Sequence, residues 1–202
     1  MPRELLLATR NRKKKLELQE ILRELNLNIL TLEELPYLAE VEEDGNSFAE
    51  NAIKKAVLTA KASGKICLAD DSGLVVDALG GQPGIYSARF AGELASDEEN
   101  NQKLLKLMEM IEEDKRTARF VCVIALSDAQ GNVETVEGIC EGRIALATAG
   151  KGGFGYDPLF IPQGYTQSFA ELPSATKNLI SHRGKALEQA RPLIERLFLG
   201  ST

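Results

Sequence analysis

The sequence predicts an α/β protein built on a mixed β-sheet. Two observations carry that class: short apolar runs alternate with segments of helical periodicity, and one stretch of two strand-like runs is joined by a tight Gly-Asn turn. At 202 residues and 44% hydrophobic, the chain suffices for one sizeable core, and we expect a single domain over 1–202 with no separable linker.

Taken in order, residues 3–8 (RELLLA) read as a short buried strand, and Leu18, Ile21, Leu22 and Leu25 then recur at helical spacing. Residues 26–46 are rich in acids and broken by Pro36 and Gly45, which predicts an exposed loop. Residues 47–63 (SFAENAIKKAVLTAKAS) carry a capping-box pair, Ser47 and Glu50, and stop before Gly64, so a helix is expected there. The apolar ICLA at 66–69 is a buried strand that runs into Asp70, Asp71, Ser72 and Gly73, residues suited to a turn. A Gly/Pro-rich loop (LGGQPGIYSARFAG) follows. Leu104, Leu105, Leu107, Met108 and Ile111 then predict a helix over 97–111, whose acidic start suits the helix dipole. Residues 118–128 and the run after Gly131-Asn132 read as antiparallel strands. A second Gly-rich loop, GKGGFGYDPLFIP, precedes a closing helix from about Ser181 with Leu187, Ala190, Ile194 and Leu197 inward and Pro192 as a kink.

Charge and cysteine content narrow the function. A net charge of −6 argues against a nucleic-acid surface or an anionic membrane as partner. No apolar run reaches the roughly 18 to 20 residues that a membrane helix needs, and the apolar part of MPRELLLATR is too short for a signal peptide. Cys67, Cys122 and Cys140 form no C-x-x-C pair and read as buried thiols in a reducing compartment, which places the protein in the cytoplasm.

Four stretches could carry chemistry. RNRKKK packs five cations into residues 10–15, at the junction of a strand end and a helix start, where free N–H groups favour a phosphate. Cations at a helix N-terminus are disfavoured by about 0.3–1 kcal/mol each, a cost that a bound phosphate would reverse. A solvated charged face is the alternative. Asp70-Asp71 is either a turn or a carboxylate pair for a hard divalent ion, one acid holding the ion while its neighbour takes a proton from water. In GGFGYDP, Phe154 flanked by glycines suits a plate for a nucleobase, or else an aromatic that anchors a flexible loop. The single histidine, His182, stands beside Arg183 with no serine or cysteine context for a triad, and the two could donate hydrogen bonds to a ligand carbonyl.

Together these stretches stop being independent. ATRNRKKKLE fits T-x-N-x-x-K-x-x-E and is followed, in order, by SFAENAIKKA, ADDSGLVVDALGGQPGIYSARF, GGFGYDPLF and SHRGKAL. From about residue 5 to 198 the chain resembles the inosine triphosphate pyrophosphatase family, enzymes that hydrolyse non-standard purine nucleoside triphosphates. The resemblance implies an elongated α/β fold of two lobes with the nucleotide in the cleft between them, a homodimer, and Mg2+-dependent cleavage of ITP, dITP or XTP to the monophosphate and pyrophosphate.

Carried over by motif, Thr9, Asn11 and Lys14 would hold the triphosphate, with Arg10, Arg12 and Lys13 beside them and Lys55 and Arg89 as further phosphate contacts. Asp71 would be proton acceptor and metal ligand, with Asp70 as its partner and Ser72 beside the substrate. Phe154 would stack on the base, Gly155, Tyr156 and Asp157 would complete that wall, and Lys177, His182 and Arg183 would contact nucleotide and base, Arg183 reading the carbonyl that sets inosine apart from adenosine. A second metal carboxylate is expected in the acidic loop; among Glu40, Glu42 and Glu43, the distance from FAENA selects Glu42. Two other readings stand beside this one: a pyrophosphatase for modified pyrimidine nucleotides, and a nucleic-acid-binding module built on residues 10–15.

Overall fold

In a computed structural model of the chain, residues 3–25 and 27–199 are described, without the side chains of Lys13, Glu24 and Leu199. A six-stranded sheet runs in the order β2-β1-β3-β4-β5-β6, from β1 (Glu4–Leu7), β2 (Asn28–Thr31), β3 (Ile66–Val76), β4 (Thr117–Ser127), β5 (Val133–Ile144) and β6 (Phe160–Pro162). β1 pairs in parallel with β2 and β3, while β5 and β6 are antiparallel, so the sheet is mixed as expected. The helices are α1 (Arg12–Ile21), α2 (Phe48–Ser63), α3 (Asp97–Leu107), α4 (Ser174–Ile180) and α5 (His182–Leu199).

The chain forms two compact units. The first comprises residues 1–71, 122–138 and 183–202. Its β1 is apolar on both faces because both are covered. Leu5 and Leu7 pack with Leu18 of α1, Leu22 just after it, and Leu187, Ala190 and Ile194 of α5, whereas Leu6 packs with Ala52, Ala56 and Ala60 of α2. Small side chains along α2 let that helix lie close to the strand. Ser47 caps α2 by accepting the Glu50 N–H at 3.1 Å, and Glu50 reaches back to the N–H of Asn46, one residue earlier than a strict capping box would have it. Gly64, at φ 69°, ends the helix where expected.

The second unit comprises residues 72–121 and 139–182. Leu74 and Val76 of β3, Leu104 of α3 and Met108 just after it, and the rings of Phe120, Tyr156, Phe160 and Phe169 fill its core. Arg116 is also fully buried there, and its partners are carbonyl oxygens: Nε donates to Ile144 at 2.9 Å, Nη2 to Ala145 at 2.8 Å, and Nη1 to Met108 at 2.6 Å and Ile111 at 3.4 Å. Burial lowers its pKa, which nearby Glu113 partly offsets.

Several expectations need correction. The 26–46 segment is not loop throughout: β2 lies within it, and Ile29, Thr31, Leu32 and Leu38 are buried, because the apolar run that precedes the acids pairs with β1. Nor does the strand after ICLA stop at Asp70: β3 continues extended through both aspartates, Ser72 and Gly73 to Val76, so the chain does not bend there. The 97–111 helix ends at Leu107, residues 84–89 form a 3-10 helix inside the first Gly/Pro-rich loop, β6 arises where loop was expected, and α4 lies in a stretch for which no element was predicted. The Gly131-Asn132 turn is as expected, tied by the Asp128 carboxylate, which accepts the N–H groups of Gln130 and Asn132 at 3.0 and 2.9 Å. All three cysteines are buried thiols outside any disulfide.

Candidate functional site

In the first unit the basic run folds back onto β3. Thr9 accepts the Asn11 N–H at 3.1 Å, and Asn11 in turn accepts the Lys14 N–H at 3.3 Å, which makes it the N-cap of α1. With the helix start fixed, the Lys14 side chain reaches Asp70, Nζ to Oδ1 at 3.0 Å. The other carboxylate oxygen of Asp70 takes Arg183 in a two-pronged contact, Nη2 at 3.0 Å and Nε at 3.2 Å, while Nη1 of Arg183 bonds Glu17 at 2.7 Å. Burial pushes the Asp70 carboxyl up, but Lys14, Arg183 and Lys55 outweigh it and hold that group well below the usual carboxylate range. Asp70 is therefore a committed ion-pair centre, and the Arg183 fork expected at a base carbonyl is turned onto it.

Asp71 is in a different state. It is 6% exposed, its Oδ2 accepts from Asn51 Nδ2 at 3.0 Å, and the Lys55 ammonium stands 4.0 Å from Oδ1. That ammonium is closer to Glu43 Oε1, at 2.5 Å, and to the Asp70 carbonyl, at 2.6 Å. Burial opposes the Lys55 charge, yet Asp70, Glu43 and Asp71 together raise its pKa. For Asp71, burial is the largest influence and Glu43 adds to it; Lys55 and Asn51 only partly offset them, so the carboxyl is pushed up to about 6. Excess negative charge of this kind, on hard oxygen donors, fits a divalent cation such as magnesium. Of the three competing glutamates, Glu43 shares Lys55 with Asp71, Glu40 lies 3.9 Å from Arg10, and Glu42 is exposed. Arg10 also donates to the Leu38 carbonyl at 3.3 Å, Arg12 is exposed, and Lys13 lies outside the residues whose side chains are described. Asn51 was not anticipated as a site residue; it stands in the FAENA motif, and its Oδ1 accepts the Gly45 N–H at 2.8 Å, tying the acidic loop to Asp71.

In the second unit the Gly-rich loop is organised around Asp157. Its Oδ2 accepts the Phe154 N–H at 2.9 Å and the Lys177 ammonium at 2.7 Å. A side chain at Gly153 would meet that oxygen at 1.9 Å, so glycine there is a requirement of close approach. Phe154 is left half-buried with the Lys177 Nζ 5.0 Å from its ring centre. Tyr156 is core, and its hydroxyl donates to the Ser87 carbonyl at 2.8 Å. His182 is buried, its ring stacked on Phe120 at 4.6 Å between centroids. Arg89 sits 5.2 Å from the Tyr86 ring and 3.7 Å from Glu93, and Ser72 is half-buried. Within this unit, then, Phe154, Asp157 and Lys177 are brought together, while the Tyr156 ring turns into the core.

The first unit thus carries a raised carboxyl, Asp71, next to an ion-paired one, Asp70, on a mixed α/β sheet, and the second unit carries an aromatic loop braced by Asp157. Residues 5–193 match the Ham1 family, and the chain belongs to that family. It is 54% identical over 195 residues to a protein named dITP/XTP pyrophosphatase from Desulforamulus reducens, covering 96% of this chain and 97% of the relative. It is 47% identical over 193 residues to a protein of the same name from Bacillus subtilis, with 96% and 98% covered. A solved HAM1 protein structure from Coxiella burnetii superposes with a TM-score of 0.87 at 43% identity, over 96% of this chain and 98% of that one.

Proposed function

We propose that this chain hydrolyses non-standard purine nucleoside triphosphates (ITP, dITP and XTP) to the nucleoside monophosphate and pyrophosphate. The observation that carries the chemistry is the placement of Asp71: a buried carboxylate with Oδ2 fixed by Asn51 at 3.0 Å and Oδ1 4.0 Å from the Lys55 ammonium, suited to take a proton from water. Near-full-length identity to proteins named dITP/XTP pyrophosphatase supports the substrate class.

In this reading Asp71 takes a proton from water as the water oxygen bonds the α-phosphorus. The bond from that phosphorus to the bridging oxygen breaks, and pyrophosphate leaves. Asp71 would hold magnesium, with Glu43 in place of the Glu42 chosen from sequence because Glu43 shares Lys55 with Asp71 and Glu42 is exposed; the ion would supply charge neutralisation for the triphosphate. Asn51 fixes the Asp71 carboxylate by its hydrogen bond at 3.0 Å, and Lys55 keeps three oxygens in one place. Lys14 starts from Asp70 and offers positive charge to phosphate. Phe154 supplies the stacking surface, and Lys177 and His182 supply hydrogen-bond donors for the base. A site that donates to a ring carbonyl rejects the amino analogue, since its donors are then left unpaired.

The resemblance also supports a homodimer, and three buried thiols outside any disulfide suit a reducing cytoplasm. Among the described residues no helix is long and apolar enough to cross a membrane. The deciding experiment is pyrophosphate release from ITP, XTP, ATP, GTP, dUTP and TTP with and without magnesium. Magnesium-dependent preference for ITP and XTP supports the reading, and preference for the pyrimidines overturns it.

A further inference from the structure

We propose that Asp97 and Asn101, one turn apart on α3, are positioning residues for base recognition: they grip both peptide groups of Gly155 and thereby set the orientation of Phe154. The inference rests on the reading of Phe154 as the base plate.

The geometry is a two-point clamp. Asp97 Oδ2 accepts the Gly155 N–H at 2.8 Å, and Asn101 Nδ2 donates to the Gly155 carbonyl at 2.9 Å. The two side chains are four residues apart on one helix, so they project from the same face with fixed spacing. Gly155 is in the left-handed region at φ +59°, which leaves its N–H and C=O in the positions the clamp requires. On the other side of Phe154, its own N–H is taken by Asp157 at 2.9 Å. The peptide groups before and after the ring are thus both spoken for, one from within the loop and one from α3.

The clamp is also firmly mounted. Ser96 and Glu99 form a complete capping box at the start of α3, Ser96 accepting the Glu99 N–H at 3.2 Å and Glu99 accepting the Ser96 N–H at 2.7 Å. Asn100, between the two clamp residues, holds the neighbouring loop by the Ala91 N–H at 2.7 Å and the Ala88 carbonyl at 3.2 Å. Asn101 is 5% exposed, and its Oδ1 has no hydrogen-bond partner among the described residues, so the amide is oriented by the Gly155 carbonyl alone. An acid at the first helical position would serve the helix dipole anywhere on that turn. A contact to the Gly155 N–H is a separate task, which Glu98 on the same turn does not share.

The test is steady-state pyrophosphate release from ITP with magnesium by the full chain and its variants. Loss of part of a base-stacking contact predicts that Asp97→Ala raises KM by about three- to tenfold with kcat changed less than twofold. Asp97→Asn, whose amide oxygen still accepts the N–H, restores KM to within about twofold, and Glu98→Ala, which removes the same charge from the same turn, leaves it unchanged. In a Phe154→Ala background Asp97→Ala adds no further increase, because the ring it positions is gone. Asn101→Ala should raise KM alongside Asp97→Ala, with its thermal melt recorded to separate misfolding from misplacement. If Phe154→Ala raises KM but Asp97→Ala does not, or if the Asp97→Ala effect persists without Phe154, the inference fails and the base-plate reading stands. If Phe154→Ala leaves KM unchanged, the base-plate reading fails and takes the inference with it. A wild-type chain inactive on ITP would remove the proposed function and this inference together.

Discussion

The two units hold their functional side chains by different physics. In the first unit, charges are fixed by other charges: Asp70 by Lys14 and Arg183, Arg183 also by Glu17, Glu43 by Lys55. In the second, an aromatic is fixed by backbone: the peptide groups of Phe154 and Gly155 are bonded by Asp157, Asp97 and Asn101. The difference teaches where each unit breaks. A charge network fails abruptly, since removing one partner leaves a buried ion unbalanced, whereas a hydrogen-bonded loop loses alignment while the fold survives.

The largest effect should come from the charge network. Arg183→Ala strips Asp70 of its two-pronged partner and should cost about 3–5 kcal/mol in urea unfolding, the range for orphaning a buried ion. A loss under 1 kcal/mol would show that Asp70 is solvated in solution. Next, Asp71→Asn should leave the fold intact but lower ITP turnover at least about a hundredfold, the scale of a lost general base; near-normal turnover would remove Asp71 from the mechanism.

The same substitution has a smaller, opposite effect on stability. Because its folded-state pKa lies above the ordinary carboxylate value, Asp71 favours the fold fully below about pH 4, and that contribution is lost as pH rises through about 6. Without added metal, Asp71→Asn should therefore raise the melting temperature at pH 8, by an amount worth about 3 kcal/mol at most, and the gain should shrink toward pH 4. A pH-independent difference would contradict the displaced pKa. Smallest is the backbone of the second unit: Gly155→Ala, whose added methyl meets nothing within 4 Å, should cost only the left-handed conformation, about 1–2 kcal/mol.

Much of the fold was legible where a local signal coincides with a local cause. Ser47 and Gly64 bound α2 because caps act within a turn, and Leu18, with Leu22 just past the end of α1, marked the buried face of that helix because periodicity reports burial. β2 was hidden by the acids that follow it. The continuation of β3 was hidden by residues with turn chemistry, since an Asp-Asp-Ser-Gly run stays extended only when neighbouring strands hold it. In the site, motif residues such as Asp71, Phe154, Asp157 and Lys177 could be named from sequence. Asn51, Asp97 and Asn101 could not, because each works through a contact with residues 20 to 58 positions away. Arg183 shows the converse, a residue expected at a base carbonyl whose donors in this structure face Asp70 and Glu17.

Arg116, buried against four carbonyls, bears on how motion is distributed along α3. Its fork seizes the Met108 and Ile111 carbonyls just beyond the C-terminal end of that helix and ties them to Ile144 and Ala145. A helix of eleven residues, ordinarily free to fray at either end, is thereby pinned at one end by a guanidinium and at the other by a capping box. Hydrogen–deuterium exchange should accordingly show α3 opening in one step with the second unit's core rather than fraying inward, and the Gly155 amide exchanging in register with it. The loop that carries Phe154 would then inherit the rigidity of a helix and be spared the restlessness of its own glycines.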